Sequence, residues 1–301
     1  MRRALLATAV VLAVGAAAAP AQADPTGPAD VHPALRSSLV AFYDFDHPMP
    51  GDPALEADQG RSGTEIELIG GGPALRVQDR AYPGGRKVLQ TGEVAGAAND
   101  RKAGIWSASG VRTLRAYNAA EGATVMGWFK RSMDGPAAGF NAIGLTGVLT
   151  GDSDGHAVRA LLELIDVNGT LRLVALGRRL DGGNSQTFAA TEDWRTLLPK
   201  DQWVHLAATF DFTGGTMALY RDGKGVEGSY TRTDDPWLLN GPGPYVTTAT
   251  DPRGIKIGGS FPRQGSADRN PCDCRMDALM LLDRPLTARE VANQYRFMNR
   301  G

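Results

Sequence analysis

The sequence has few of the residues that metal-dependent and thiol-dependent enzymes rely on. Its 301 residues include two cysteines and four histidines. None of the histidines lies at a metal-binding spacing such as His-x-His or His-Glu-x-x-His. The chain also lacks a glycine-rich loop suited to cradling phosphates. The sequence therefore gives no motif for a histidine-based metal site or for a phosphate-binding loop. The four histidines are His32, His47, His156 and His205.

Neither sign of charge is in excess, since 32 basic residues face 33 acidic ones and the net charge is −1. A nucleic-acid-binding domain normally carries a basic field, and a membrane-surface protein a polybasic patch. We therefore expect neither nucleic acid nor a membrane among the partners.

Long apolar runs are absent after the N-terminus, where a tripartite export signal is recognisable. Arg2 and Arg3 precede an apolar stretch at residues 4–19, and Ala21-Gln22-Ala23 fits a signal peptidase site. The apolar stretch is too short for a membrane anchor, which takes ~20 residues. We predict a signal peptide at residues 1–23, cleavage after Ala23 and an extracellular location.

The scarcity of cysteine leaves one pair to explain, Cys272 and Cys274. Export favours oxidation, but a Cys-x-Cys ring is geometrically strained. Three states compete: a strained intrachain ring, two free thiols, or intermolecular pairing. We adopt the intrachain disulfide as the working prediction.

Glycine and proline are abundant, at 38 and 18 residues, as a turn-rich all-β domain requires. Residues 201–226 form the clearest unit, a three-stranded meander. Its first strand alternates, with Val204, Leu206, Ala208 and Phe210 on one face. We expect that face to be buried between two sheets. Asp222-Gly223 is a strong hairpin signal.

Two further local signals are strong. Asn168-Gly169 separates the apolar runs 157–166 and 170–176, which predicts another hairpin. Near the C-terminus, Thr287 and Glu290 form a capping box that predicts a short helix. The helix is amphipathic, and its apolar positions suit packing on a sheet. Those positions are Val291, Tyr295 and Met298.

Five strand sequences together resemble the laminin-G-like, concanavalin A-like jelly-roll family. The resemblance implies an all-β fold, an antiparallel two-sheet jelly-roll sandwich with a short C-terminal helix. It covers most of residues 37–298, with gaps at 84–122 and 231–253. We therefore predict a flexible leader at residues 24–36 and one jelly-roll domain at 37–301. The strand sequences, in chain order, are LVAFYDFD, ATVMGWFK, QWVHLAATFD, GTMALYRDGK and MDALMLL.

Two patterns suggest catalysis, and both fail on context. Residues 151–155, GDSDG, match a nucleophile elbow, but a strand rather than a helix is expected to follow. Glu163 and Asp166 invite comparison with laminarinase-type hydrolases on the same fold. On a strand these two carboxylates point to opposite faces. Glycoside hydrolysis needs two carboxyl groups that face the same sugar. We expect no catalytic role for Glu163.

The resemblance also implies a calcium site where the first and last strands adjoin. Asp277 matches the family's position in the last strand, Asp46 matches the Phe-Asp end of the first strand, and Asp58 matches more loosely. Calcium prefers carboxylate and carbonyl oxygens. The alternative is that these aspartates cap strand ends and loops.

Aromatic side chains in loops are the candidates for binding sugar, because their faces pack on apolar sugar faces. The candidates are Trp106, Trp194, Trp237 and Tyr245. The predicted function is a secreted, non-catalytic recognition domain for a glycan or cell-surface polymer, with calcium as a candidate stabilising ion. Two alternatives stay open: a polysaccharide hydrolase or lyase on the same fold, and an adhesive domain that binds protein.

Overall fold

The structure is a computed structural model that describes residues 27–68, 71–92, 97–99, 120–150, 158–178, 185–232, 252–258 and 270–300. The described strands, in chain order, are β1 Leu39–Tyr43, β2 Pro48–Met49, β3 Asp52–Glu56, β4 Ile66–Leu68, β5 Arg76–Gln78, β6 Lys87–Gln90, β7 Ala97–Asn99, β8 Gly122–Arg131, β9 Ala142–Thr150, β10 Val158–Val167, β11 Thr170–Arg178, β12 Ser185–Ala190, β13 Val204–Asp211, β14 Thr216–Arg221, β15 Lys224–Val226, β16 Gly228–Tyr230, β17 Pro252–Ile257 and β18 Cys274–Leu282. Two α-helices are described, α1 Trp194–Leu197 and α2 Ala288–Met298, and two short 3-10 helices, Pro33–Ser38 and Gly72–Leu75.

The strands form two antiparallel sheets that pack face to face as a jelly-roll sandwich. Sheet A has the order β15-β14-β13-β8-β18-β6-β5, and β1 pairs with β18 beside that path. Sheet B has the order β16-β12-β11-β10-β9-β17-β7-β4-β3-β2. The predicted fold class is confirmed.

The core lies between the sheets and confirms the predicted face of β13. Val204, Leu206, Ala208 and Phe210 are all at most 1% exposed and belong to one apolar cluster. Leucines of β10 and β11 in the opposite sheet belong to the same cluster. Burial of this apolar face is the main force that holds the two sheets together.

Both predicted hairpins are present. Asn168 and Gly169 join β10 to β11 with φ of 55° and 80°, and Asp222 and Gly223 join β14 to β15 with φ of 50° and 74°. Two successive residues with positive φ give the turn whose twist matches paired strands. The sequence therefore determines the register of these pairs locally.

A second apolar layer covers the outer face of sheet A. Helix α2 begins at the predicted capping box, since the Thr287 side chain accepts from Glu290 N–H and Glu290 reaches back. Val291 and Met298 are buried against the sheet, and Trp128 donates from Nε1 to the Met298 sulfur at 3.5 Å. Among the described residues, no helix has the length and apolar composition that crossing a membrane requires.

The N-terminal segment requires a correction to the predicted leader. Val31 and Leu35 are at most 1% exposed and pack in the same outer layer. Gln294 of α2 ties this segment down twice, accepting from His32 N–H and donating to the Asp30 carbonyl, both at 2.8 Å. The folded domain therefore begins before residue 31, because two buried apolar residues outweigh the local Pro and Gly content.

Candidate functional site

Strand β18 brings the predicted aspartates of the first and last strands together. Its residues Arg275 and Met276 pair with β6, whereas Leu279 to Leu282 pair with β1, so Asp277 lies between the two pairings. The ladder to β8 is also irregular there, and Ala278 has φ of 48°. This bulge opens the sheet at Asp277. Tyr43 at the end of β1 pairs with Leu279, which brings Asp44 beside Asp277.

Two glycines make room for these carboxylates. The loop that contains Gly84 and Gly85 passes over the cluster. A Cβ on Gly85 would lie 2.9 Å from Asp277 Oδ2, and one on Gly84 would lie 2.6 Å from Asp30 Oδ1. Both distances are too short for an added side chain. The loop therefore approaches the carboxylates more closely than any other residue type would allow.

Asp277 is the centre of this cluster. Its side chain is 0% exposed, Oδ1 accepts from Ala278 N–H at 2.7 Å, and Oδ2 has no hydrogen-bond partner among the described residues. Burial, and then the nearby charges of Asp44, Asp46 and Asp30, raise the pKa of Asp277 well above its ordinary value. A buried carboxylate in this state needs a proton or a cation.

The other members of the cluster are held in place by hydrogen bonds. Asp46 accepts from the backbone N–H groups of Arg86 and Lys87, both at 3.2 Å. Asp44 Oδ1 lies 2.8 Å from His47 Nδ1. This contact is the largest cause of the raised pKa of His47.

Asp30 completes the cluster. The Tyr82 hydroxyl donates to Asp30 Oδ2 at 3.1 Å, and the pKa of Asp30 is raised, first by burial and then by the charges of Asp44 and Asp46. The charges of three further carboxylates act on the buried, unsatisfied oxygen of Asp277, and carboxylate oxygens are the hard donors that calcium prefers. The donor chemistry of these four residues therefore fits a calcium ion. We define the calcium cluster as Asp30, Asp44, Asp46 and Asp277.

Sequence reasoning did not find Asp30, because that residue fell in the predicted leader. It also missed the Gly84-Gly85 pair, whose only signal is the two adjacent glycines.

Asp58 has another task in the structure. Its two carboxylate oxygens accept from Phe42 N–H, Gly60 N–H and Gly63 N–H at 2.7–2.9 Å, and from the Ser62 hydroxyl. These bonds close the loop that follows β3 and pin it to β1. With four donors already on its oxygens, Asp58 acts as a loop organiser, which corrects its inclusion among the calcium ligands.

A second group of potential ligands, Asp44, His47 and Glu56, has oxygen and nitrogen atoms within 4.8 Å of one another. Glu56 is already engaged, since it lies 2.6 Å from Arg76 Nη2 in a buried ion pair and accepts from His47 N–H at 3.0 Å. Hydrogen bonds within the protein therefore already engage the carboxylates of this group.

The four aromatic residues predicted to bind sugar differ in where they lie. Trp106, Trp237 and Tyr245 lie outside the described residues. Trp194 lies on the short helix α1 rather than in a loop and is 3% exposed, so it does not present an open ring face. The guanidinium carbons of Arg131 and Arg195 each lie 4.6 Å from its ring centroid. Trp194 nonetheless lines a pocket of about 330 Å³.

Glu163 is held in a buried ion pair. Its Oε2 accepts from Lys256 Nζ at 2.8 Å, with the two side chains 4% and 1% exposed. Asn270 Nδ2 approaches the same oxygen at 3.4 Å. A neutralised carboxylate without access to solvent is poorly placed as an acid or nucleophile for a glycoside. The GDSDG motif at residues 151–155 lies outside the described residues.

Cys272 and Cys274 have Cα atoms 5.2 Å apart and are fully buried; Cys274 is the first residue of β18, and Cys272 lies just before it. The Thr91 hydroxyl donates to the carbonyl of Cys272 at 2.6 Å. This arrangement suits the predicted intrachain ring, which stays a prediction.

A comparison with known families finds a match over most of the sequence. The sequence profile of a laminin G-type family, described as the concanavalin A-like lectin/glucanases superfamily, matches residues 107–292. That match begins within one of the two gaps in the resemblance. A comparison with curated proteins gave no match.

Solved structures resemble the fold at low sequence identity. The binding domain of botulinum neurotoxin DC, solved with rat synaptotagmin II, has a TM-score of 0.53 at 10% identity and matches 88% of this chain and 52% of its own. Trypanosoma rangeli sialidase in complex with sialic acid has a TM-score of 0.50 at 18% identity and matches 87% of this chain and 33% of its own. The chain thus spans about half of the toxin chain and a third of the sialidase. At such identities the likeness shows the fold alone.

Proposed function

Because the chain belongs to the concanavalin A-like lectin/glucanases superfamily, we propose that it is a secreted recognition domain that binds carbohydrate and is stabilised by calcium. Both lectins and hydrolases have this fold, so the function has to be argued from the residues of the site. The proposal concerns the jelly-roll domain, whose first and last strands the calcium cluster joins.

One observation carries the calcium part of the proposal: Asp277 Oδ2 is buried and has no hydrogen-bond partner among the described residues. Leaving a charged oxygen in that state costs several kcal/mol. Calcium would be held by the four carboxylates of the calcium cluster and would remove their mutual repulsion. It would also link the first strand to the last, because Asp44 and Asp46 follow β1 and Asp277 belongs to β18.

The choice of recognition over hydrolysis is supported by Glu163. Its carboxylate is paired with Lys256 and shielded from solvent, and the described groups that contact it, Lys256 and Asn270, include no second acid. A two-carboxylate mechanism needs a second acid ~5–9.5 Å away across the scissile bond. Among the residues that the structure describes, no second acid contacts Glu163, so this carboxylate lends no support to hydrolysis.

The structurally similar proteins were solved with two different classes of partner, a protein and a sugar. One is a toxin binding domain solved with a protein, and the other is a sialidase solved with a sugar acid. The superfamily description favours a glycan as the partner of this chain.

A glycan array tests the proposal, probed in millimolar calcium and in chelator. Three proteins are compared: the wild type, Asp277→Asn, and Asp211→Asn as a control. Asp211 is a turn aspartate that accepts from Gly214 N–H and lies outside the calcium cluster. We expect calcium-dependent glycan binding for the wild type and the control, and weaker binding for Asp277→Asn. An array without bound glycan in either condition, alongside capture of a protein partner, would contradict the carbohydrate assignment.

A further inference from the structure

A pocket opens beside the β10–β11 hairpin, on sheet B. Its volume of about 330 Å³ is at the small end of the ~300–1,000 Å³ typical of ligand pockets. That size suits a single small unit, such as one sugar ring. The pocket is lined by Pro136, Gly169, Thr170, Leu171, Arg172, Thr191, Glu192, Asp193, Trp194 and Arg195.

Arg172 is the group in this pocket that lacks a full set of partners. Its Nη1 donates to the Ala190 carbonyl at 3.2 Å, which fixes the guanidinium in place. Its Nε is buried and finds no acceptor among the residues that the structure describes. An unpaired buried donor costs about 1–3 kcal/mol, and more when it is charged. Arg172 also lines the pocket, so its guanidinium is the group there that is suited to an acceptor from outside the chain.

A second guanidinium stands on the other lining segment. Arg195 is exposed, and its guanidinium carbon lies 4.6 Å from the Trp194 ring centroid. Arg131 lies at the same distance from that ring, but its guanidinium is committed to the carbonyls of Leu198 and Met133. Arg131 therefore fixes the Trp194 ring on its protein side. Arg195 contacts the same ring and lines the pocket.

The acidic residues of the pocket limit the charge that a ligand can carry. Asp193 accepts from the backbone N–H of Arg195 at 2.6 Å, and Glu192 is exposed beside it. Two carboxylates and two guanidinium groups line the pocket, so the charges of the lining balance. A dianionic phosphate would meet repulsion from the two acids. A monoanion with hydroxyl groups can pair with the arginine and donate to the acids.

We propose that this pocket binds the carboxylate of an acidic sugar, of the uronic acid class, with Arg172 as its primary anchor. This inference rests on the proposed carbohydrate-binding function and narrows its substrate class. The flat guanidinium edge matches a carboxylate in a two-hydrogen-bond geometry. The Thr170 hydroxyl and the acids of the lining are suited to the hydroxyl groups of the sugar ring.

Calorimetric or NMR titration tests this assignment, using glucuronic acid, glucose and glucose 6-phosphate as probes. We expect the wild type to bind glucuronic acid more tightly than either of the other two. Arg172→Gln should weaken glucuronic acid binding by about tenfold or more, because it removes the charged bidentate anchor. Arg172→Lys keeps the charge but loses the fork geometry, so its affinity should lie between the two.

Arg61→Gln is the matched control, since Arg61 is a surface arginine paired with Asp283 away from the pocket. It should bind glucuronic acid as the wild type does. Thermal unfolding of each variant separates loss of the anchor from loss of the fold. The wild-type preference for glucuronic acid over glucose requires no variant at all.

The assignment is overturned if glucose binds as tightly as glucuronic acid, if glucose 6-phosphate binds more tightly, or if folded Arg172→Gln binds glucuronic acid like the wild type. Its failure can be told from failure of the proposed function. Glycan binding on the array with no dependence on Arg172 would refute the pocket alone. Arg172-dependent uronic acid binding with no calcium dependence would refute the calcium-stabilised site while the pocket stands.

Discussion

Asp44 and Asp277 lie beside each other because Tyr43, the last residue of β1, pairs with Leu279, two residues after Asp277 in β18. The sandwich thus brings together two acids that are more than two hundred residues apart in the chain. Their proximity contributes to the raised pKa of Asp277. Like charges in a buried setting destabilise a fold unless a proton or cation balances them. This relationship underlies the calcium proposal.

The core assignment predicts the effect of Phe210→Ala. Phe210 is fully buried and its ring centroid lies 6.1 Å from that of Phe212. Removing the ring should lower the free energy of unfolding by about 3–5 kcal/mol. Urea denaturation of both proteins measures the difference. A loss below about 1 kcal/mol would be typical of a surface position and would contradict the packing.

His205 predicts how stability depends on pH. Its ring is fully buried between Trp128 and Tyr295, neither ring nitrogen has a hydrogen-bond partner among the described residues, and burial lowers its pKa to about 4. The unfolded chain binds this proton near pH 6.5, whereas the folded chain does not. Stability from this group is therefore complete above pH 6.5 and is lost as pH falls towards 4, by up to about 3 kcal/mol.

Other groups titrate in the same pH range, so a variant isolates the histidine. His205→Gln should unfold with a shallower decline between pH 6.5 and 4.5 than the wild type, whatever its absolute stability. Parallel curves for the two proteins would show that His205 is not buried in its neutral form.

The Glu163–Lys256 pair predicts a stability effect and no effect on turnover. Among the described residues, Lys256→Met leaves the buried carboxylate with only the amide of Asn270 in contact, which should cost about 3–5 kcal/mol. The double variant Glu163→Leu/Lys256→Met should recover much of that loss, as chemical denaturation would reveal. Turnover of a β-glucan that disappears in Glu163→Gln would instead show that Glu163 is catalytic.

Gly85 predicts that the calcium cluster is sensitive to one methyl group. In Gly85→Ala the new Cβ would lie 2.9 Å from Asp277 Oδ2, displacing the loop or the carboxylate. We expect the calcium-dependent rise in melting temperature to shrink strongly. Gly135→Ala is the control, because a Cβ there meets no atom within 4 Å. An unchanged calcium response in Gly85→Ala would argue that Asp277 Oδ2 does not face the ion.

Local sequence patterns predicted the elements of this fold well. The alternation along β13, the Asn168-Gly169 turn and the Thr287–Glu290 capping box are each determined by residues close in sequence. The resemblance of the strand sequences to the family then predicted the two-sheet sandwich. The leader was mispredicted because Val31 and Leu35 are buried by helix α2, a contact that no local pattern announces.

The candidate sites were harder to predict. Asp46 and Asp277 were identified through the family resemblance, but Asp30 joins them through a contact across the fold. Asp58 is of a residue type that binds calcium, and Trp194 is of a type that binds sugar. Groups within the protein already contact both side chains. The pocket at Arg172 has no sequence motif, because it forms where a hairpin and a short helix meet.

Thermal unfolding in calcium and in chelator tests the central claim most directly. Binding to the folded state alone should stabilise the wild type by about 2.7 kcal/mol at a hundredfold excess over the dissociation constant. The melting temperature should therefore rise with calcium and fall with chelator, and Asp211→Asn should behave in the same way. Asp277→Asn should give the same curve in both conditions. Superimposable wild-type curves in millimolar calcium and in chelator would contradict the calcium site.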